Sequence, residues 1–173
     1  DATTHLLMGD KDKWALFWIY GEAKARKVFN YSMVIVPTER QRLPTGFDDL
    51  ANKKVGIVGC GSVGSKIAAS LCRTGVGKFL LVDEDIFFPG NVVRNELELN
   101  ETGAHKSHAL RDRLTNLAPN ADVTALRMTL GGQEGAESMT GALEALGDCD
   151  LLIDATASPK AFNMIASIAT RQE

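Results

Sequence analysis

Two kinds of hydrophobic pattern succeed each other along the chain. The first occupies the opening 36 residues. "WALFWIY" (14–20) is a continuous apolar run that reads as a buried strand. "VFNYSMVIV" (28–36) sets Phe29, Tyr31, Met33 and Ile35 on one face at period two, a strand pattern. The polar "GEAKARK" between them is a connector, so the spacing predicts a β-hairpin. Two strands alone are only marginally stable. The hairpin is therefore expected either to pack on the next domain or to close a module that begins upstream. "PTERQRLPTG" (37–46), with two prolines and a cluster of charges, reads as a linker.

Beyond it the period changes. "FDDLANKK" suits a short helix. Val55–Val58 is an apolar strand that ends at a glycine-rich turn. Val63, Ile67 and Leu71 recur every four residues and predict the buried stripe of a helix that Gly75 terminates. "KFLLVD" (78–83), "ADVTAL" (121–126) and "DLLIDATA" (150–157) read as further strands. "HKSHALRDRLTNLAP" (105–119), "SMTGALEAL" (138–146) and "PKAFNMIASIATRQ" (159–172) read as helices, the first with Leu110, Leu114 and Leu117 on one face. Strands alternating with helices imply a parallel sheet covered on both faces. The expected fold class is α/β: a Rossmann-like, doubly wound, mostly parallel sheet over 46–173, preceded by a hairpin and linker over 1–45.

Composition narrows the function classes. Of 173 residues, 45% are hydrophobic and 24% charged, ordinary for a chain that buries a core. The net charge of −3 does not suggest a nucleic-acid binder. No apolar run approaches the roughly 18 residues of a membrane span. Cys60, Cys72 and Cys149 are an odd, sparse set without a C-x-x-C pair. They argue for a reducing, cytoplasmic compartment and against a disulfide framework or a cysteine-rich zinc site. Cys60, inside the glycine turn, is expected to be a small packed residue with an inert thiol.

The chemistry gathers at strand ends. "VGIVGCGSVGSKIAASL" carries Gly59, Gly61 and Gly64, a G-x-G-x-x-G between a strand and a helix. Such a turn lets backbone approach a phosphate, and the helix after it offers free N–H groups and a positive dipole end. Asp83 closes the second strand, where an acidic residue binds ribose hydroxyls. NAD and ATP both carry that ribose. The stretch "VDEDIFFPGNVVRNELELNETGAHK" separates them. Arg94 and Lys106, a guanidinium and an ammonium near a phosphate loop, suit a triphosphate whose charge rises during transfer. Lys106 also begins a helix, where the dipole disfavours a cation unless a ligand needs it.

These motifs in order, G-x-G-x-x-G, Gly75-Val76-Gly77, D-x-D, N-x-x-R, G-x-x-K and the Ala118-Pro119-Asn120 turn, resemble the ThiF/MoeB/HesA superfamily of ubiquitin-activating-type adenylyltransferases. The resemblance covers about 52–173. It implies ATP with magnesium as the nucleotide, and adenylation of the C-terminal carboxylate of a ubiquitin-like or sulfur-carrier protein ending in Gly-Gly. It implies that Gly59, Gly61, Ser62 and Gly64 line the nucleotide, that Asp83 binds ribose, and that Asp85, Asn91, Arg94 and Lys106 surround the phosphates. It also implies a homodimer, and a domain that runs beyond Glu173. The junction into "KKVGIVGCGSVGS" is similar to bacterial proteins in which the activating domain lies behind a conjugating-enzyme-like domain. One departure stands out. Where relatives read D-x-x-D-N after the fourth strand, this chain reads "DATASP", so Asp154 is the remaining metal candidate and Ala157 stands in place of the second Asp. A degenerate interaction module and an NAD(P)-dependent oxidoreductase are the competing readings. Arg40 and Arg42 take no role.

Overall fold

The computed structural model describes residues 4–10, 13–22, 24–33, 46–133 and 135–170. The linker reading over 37–45, with Arg40 and Arg42, and the end of the 28–36 strand reading lie outside these. The chain divides into two compact units, Asp1–Gln41 and Arg42–Glu173.

The first unit is an antiparallel meander rather than a hairpin. β1 (Thr4–Asp10), β2 (Lys13–Tyr20) and β3 (Lys27–Tyr31) lie in the order β1-β2-β3. The additional strand, "THLLMGD", lacks the alternation that would have marked it. Its edge position is set by pairing: His5 faces Trp18 and Leu7 faces Leu16. Trp18 pairs with Phe29 across β2 and β3; Tyr20 stacks on Trp18 and on Phe29 with ring centroids 4.6 and 5.4 Å apart, and the Trp18 and Phe29 rings are tilted at 5.9 Å. Aromatic cross-strand pairs of this kind stabilise a sheet beyond the area they bury.

The second unit is doubly wound. β4 (Lys54–Val58), β5 (Lys78–Val82), β6 (Asp122–Leu126) and β7 (Leu151–Asp154) form one parallel sheet in the order β6-β5-β4-β7. Alternate residues of β4 and β5 point to opposite faces. Val55, Ile57, Phe79 and Leu81 meet α1 (Ser62–Thr74) and α2 (Lys106–Leu117), through Ala68, Ala69, Cys72, Leu110 and Leu114. Val58, Leu80 and Val82 meet α3 (Ala136–Gly147) and α4 (Pro159–Ala169), through Ala142, Leu146, Ala161 and Ile165. Burial on both faces explains why these strands read as unbroken apolar runs.

The expected stripe of α1 is corrected. Val63 is 59% exposed, and the buried face consists of Gly64, Ser65, Ala68, Ala69 and Cys72. The helix rests so close to the sheet that a Cβ on Gly64 would collide with the Gly59 carbonyl oxygen. Small side chains make that approach, and Leu71 packs only at its edge. Gly75 ends α1 in the left-handed region at φ 112°, as its position predicts. Among the described residues no helix is long and apolar enough to cross a membrane.

Candidate functional site

The sheet changes direction between β4 and β7. The chain first winds outward from β4 to β5 and β6, then crosses back to β7 on the other side. Crevices at such a switch point, outside the carboxyl ends of the strands, are where doubly wound sheets bind ligands. A cleft of about 300 Å³ lies there. Its walls are Gly59 and Gly61 after β4, Asp83 to Asp85 after β5, Met128 to Leu130 after β6, and Ala155, Thr156 and Ser158 after β7. Lys106 enters from the start of α2.

The glycines divide the work. Gly59 sits at φ 92°, and a Cβ there would lie 2.8 Å from the Ala155 backbone. It makes the turn and lets β4 and β7 leave the sheet side by side. Gly64 allows the helix to close on the turn. Gly61 is different: a Cβ there would meet nothing within 4 Å, on the wall of the cleft. Ser62 is the first residue of α1, and no side chain caps this end. The first N–H groups of a helix lack intrahelical acceptors. Open space over Gly61 beside uncapped N–H groups is a cradle that fits phosphate.

Asp83 is fixed by backbone. Its Oδ2 accepts from the Cys60 N–H at 2.7 Å and its Oδ1 from the Asp85 N–H at 2.8 Å. Burial pushes its carboxyl above the ordinary range, against those two bonds and the Lys106 charge. Burial, with the Asp83 charge beside it, also drives the Cys60 thiol far up, so Cys60 is the inert packed residue its place in the turn predicts.

Lys106 is 13% exposed, and its ammonium meets Asp85 Oδ2 at 2.7 Å. Its own N–H donates to the Asp85 carbonyl at 2.9 Å. The segments carrying Asp85 and Lys106 are stitched together further along, Phe87 N–H to Ala104 O and Gly103 N–H to Phe87 O. The buried Ser107 hydroxyl donates to the Asp83 carbonyl at 2.9 Å. Gly59, Gly61, Asp83, Asp85 and Lys106 therefore meet at one cleft.

Asn91 and Arg94 do not line it. Asn91 Oδ1 accepts from the Phe88 N–H, closing a short 3-10 turn, and Arg94 is exposed on the loop after it. The neighbouring Asn95 is the residue that ties this loop to the glycine turn, donating to the Cys60 carbonyl at 3.2 Å. Asp154 Oδ1 accepts from both the N–H and the hydroxyl of Thr156, at 2.9 and 2.7 Å. That is local turn bonding by a short acidic side chain. Ala157 comes next with φ 56°, left-handed for a non-glycine residue. Among the described residues no three His, Cys, Asp or Glu side chains form a metal cluster. Met128 to Leu130 went unread in the sequence, although they lie past a strand's carboxyl end, which is the signal that found Asp83. The contacts of Asn95 and Ser107 have no sequence signal, because both depend on tertiary placement.

A parallel, doubly wound sheet with a glycine turn and an acidic residue at its switch point defines a Rossmann-like domain. The chain belongs to the ThiF family, whose model matches residues 39–173. It is 34% identical over 111 residues to the ATP-dependent ubiquitin transferase-like protein Cap2 of Pseudomonas aeruginosa, covering 62% of this chain and 18% of that one. It is 32% identical over 89 residues to ubiquitin-like modifier-activating enzyme 5 of Caenorhabditis elegans, covering 51% and 21%. The crystal structure of E. coli tRNA N6-threonylcarbamoyladenosine dehydratase, TcdA, in complex with ATP superposes with a TM-score of 0.67 at 23% identity, over 81% of this chain and 59% of that one. The chain thus spans about a fifth of the length of these two curated relatives.

Proposed function

We propose that this domain binds ATP with magnesium in the switch-point cleft and adenylates the C-terminal carboxylate of a ubiquitin-like or sulfur-carrier protein. The observation that carries the nucleotide is the near-buried Lys106 side chain at a cleft that is also lined by Gly61, with its open space beside the uncapped start of α1. A dinucleotide with one pyrophosphate needs no such cation, and a triphosphate does. Family membership and the relatives' names support the carboxylate substrate.

Gly59, Gly61, Ser62 and Gly64 present backbone to the phosphates, and Asp83 accepts from the ribose hydroxyls. A carboxylate oxygen of the partner attacks the α-phosphorus. The bond from that phosphorus to the β,γ-pyrophosphate breaks, and pyrophosphate leaves an acyl-adenylate. Lys106 stabilises the charge that develops on the leaving group; Arg94, which lies outside the cleft on an exposed loop that Asn91 orders, joins it by movement of that loop over the bound triphosphate. Lys106 exchanges Asp85 for phosphate as ATP binds. Magnesium bound with the triphosphate would supply partial neutralisation of the phosphate charge. Asp85, which lines the cleft, would be the carboxylate to hold it, and Asp154 serves its turn.

Two measurements on the full-length protein test this. ATP·Mg is expected to raise the melting temperature while NAD does not, with about 2.7 kcal/mol of stabilisation at a hundredfold excess over Kd. Lys106→Ala and Arg94→Ala are each expected to lower partner-dependent ATP–pyrophosphate exchange about 10²-fold. Equal shifts with NAD and ATP would overturn the nucleotide assignment. Nucleotide binding without any exchange would favour the second reading, a non-catalytic interaction module, for which Ala157 in place of the resemblance's Asp is the motivating observation.

A further inference from the structure

Asn95, the residue after Arg94, is fastened at three points. Its side-chain amide donates from Nδ2 to the Cys60 carbonyl at 3.2 Å and accepts at Oδ1 from the Leu97 N–H at 3.1 Å. A carbonyl only accepts and an N–H only donates, so the amide has one orientation. Its own N–H donates to the Asn91 carbonyl at 3.0 Å and closes the turn on which Arg94 stands. The two residues that follow are anchored as well. The Glu96 N–H donates at 3.2 Å to the hydroxyl of Ser65, which is fully buried on α1. The Glu96 carboxylate pairs with Arg73 of α1 at 2.7 Å and with Arg113 of α2 at 3.6 Å. Leu97 is buried in the cluster that holds residues of both helices. Residues 95–97 are therefore a fixed post, whereas Val93 and Arg94 just before it are exposed. Among the described residues no hydrogen bond or ion pair holds the Arg94 guanidinium, although Arg73, Arg111 and Arg113 are all paired with carboxylates.

We infer that Asn95 is a positioning residue: its amide pins the foot of the Arg94 loop to the glycine turn, so that movement of the loop brings the Arg94 guanidinium onto the β- and γ-phosphates of bound ATP. Cys60 is the common point. Its carbonyl accepts from Asn95, and its N–H donates to Asp83 Oδ2 at 2.7 Å. It stands between Gly59 and Gly61, both on the wall of the cleft. The backbone of this one residue thus ties the carboxylate that meets the ribose to the loop that carries the free cation. A long side chain loses freedom when it grips a ligand, and a tethered foot lowers that cost in advance. Without the amide, the cost falls on the contact that Arg94 makes. AMP lacks the two outer phosphates, so the penalty belongs to ATP and not to AMP. The inference rests on the ATP reading above.

The test is the Kd of ATP·Mg and of AMP for the full-length protein, measured by calorimetry. Asn95→Ser is the main variant. Serine keeps a hydroxyl that accepts from a backbone N–H two residues on, as Asn95 does from Leu97, but it is too short to reach the Cys60 carbonyl. Asn95→Ser should bind ATP·Mg about fivefold more weakly than wild type, as for loss of one hydrogen bond, and AMP within about twofold. Arg94→Ala should weaken ATP·Mg by about tenfold or more, as for loss of a charge-assisted contact to phosphate, and should also spare AMP. Adding Asn95→Ser to Arg94→Ala should cost ATP·Mg nothing further, because a residue that acts through Arg94 then has nothing left to position. Asn95→Ala should repeat the pattern, and it carries the comparison where the serine variant does not fold. Equal losses of ATP·Mg and AMP would make Asn95 a brace of the glycine turn alone and overturn the inference. So would wild-type ATP·Mg affinity in Asn95→Ser or in Arg94→Ala, or the same loss from Asn95→Ser with and without Arg94. In each of these cases the ATP reading stands. No ATP·Mg binding by the wild type would overturn both.

Discussion

Single residues in the glycine turn have separable jobs, and alanine distinguishes them. Gly59→Ala forces a side chain into the left-handed region and against the Ala155 backbone. It should cost on the order of 2 kcal/mol or more in denaturant unfolding. Gly61 has φ −78° and empty space where a Cβ would stand, so Gly61→Ala should leave the unfolding midpoint almost unchanged while weakening ATP·Mg binding at least tenfold. A stable Gly61→Ala protein with unaltered nucleotide affinity would rule out the phosphate cradle. Asp83 carries a pH signature. Burial raises its carboxyl, so the protonated form is the one the fold favours. Its contribution to stability is then fully present in acid, below the unfolded value, and is lost as pH rises through the raised native value. Carbon-detected NMR should find its titration above the ordinary carboxylate range, and bound ATP·Mg should lower it by donating ribose hydroxyls. A midpoint that ATP does not move would count against the ribose contact. Asp83 and Gly61 were legible in sequence because strand-end position and glycine spacing mark them directly. The surroundings of Asp154 were not, because a carboxylate aimed into a cleft and one folded back onto Thr156 have the same sequence.

Among the elements, α1 shows where pattern reading goes astray. Val63, Ile67 and Leu71 mark a helix correctly, since any set spaced by four does so. The neighbouring set, Ser65, Ala69 and Arg73 with Gly64, Ala68 and Cys72, has the same spacing, and the helix uses the smaller side of it. Hydrophobicity scales favour bulk, whereas the approach of α1 to the glycine turn requires small atoms. The elements differ accordingly in what they tolerate. Ala68 is completely buried between α1 and the sheet, so Ala68→Leu should cost about 1–3 kcal/mol by overpacking. Val63→Thr, on the exposed face, should stay within about 0.5 kcal/mol. Thermal unfolding of the two variants checks both, and the reverse order would restore the Val63 stripe. The missing strand β1 failed for a related reason: "THLLMGD" has no clean alternation, and its pairing with β2 supplies the order that its own pattern lacks.

At the scale of the whole second unit, the cleft depends on both layers of helices at once. α1 and α2 bring the glycine turn and Lys106 to the sheet from one face, while α3 and α4 place the β7 exit from the other. The alternation of strands and helices made this double winding legible. The strand order β6-β5-β4-β7, and with it the choice of switch point, arises from pairings that no local pattern encodes. The two apolar clusters lie on opposite faces of β4 and β5, so the sheet is their only common member. Leu110 and Leu146 are both completely buried, one in each cluster. Leu110→Ala and Leu146→Ala should each cost about 2–5 kcal/mol. They belong to separate clusters on opposite faces of the sheet, so the double variant should cost nearly the sum. Native-state hydrogen exchange at the β4 amides of Val55–Val58 reads this locally, whatever else the full-length chain contains. If the sheet and both helical layers open as one unit, each single variant lowers protection of these amides by its whole stability loss, and ATP·Mg restores it in both. If Leu146→Ala instead loosened α3 and α4 while β4 kept its protection, the layers would be separate cooperative units, and the β7 wall of the cleft could open without disturbing the glycine turn.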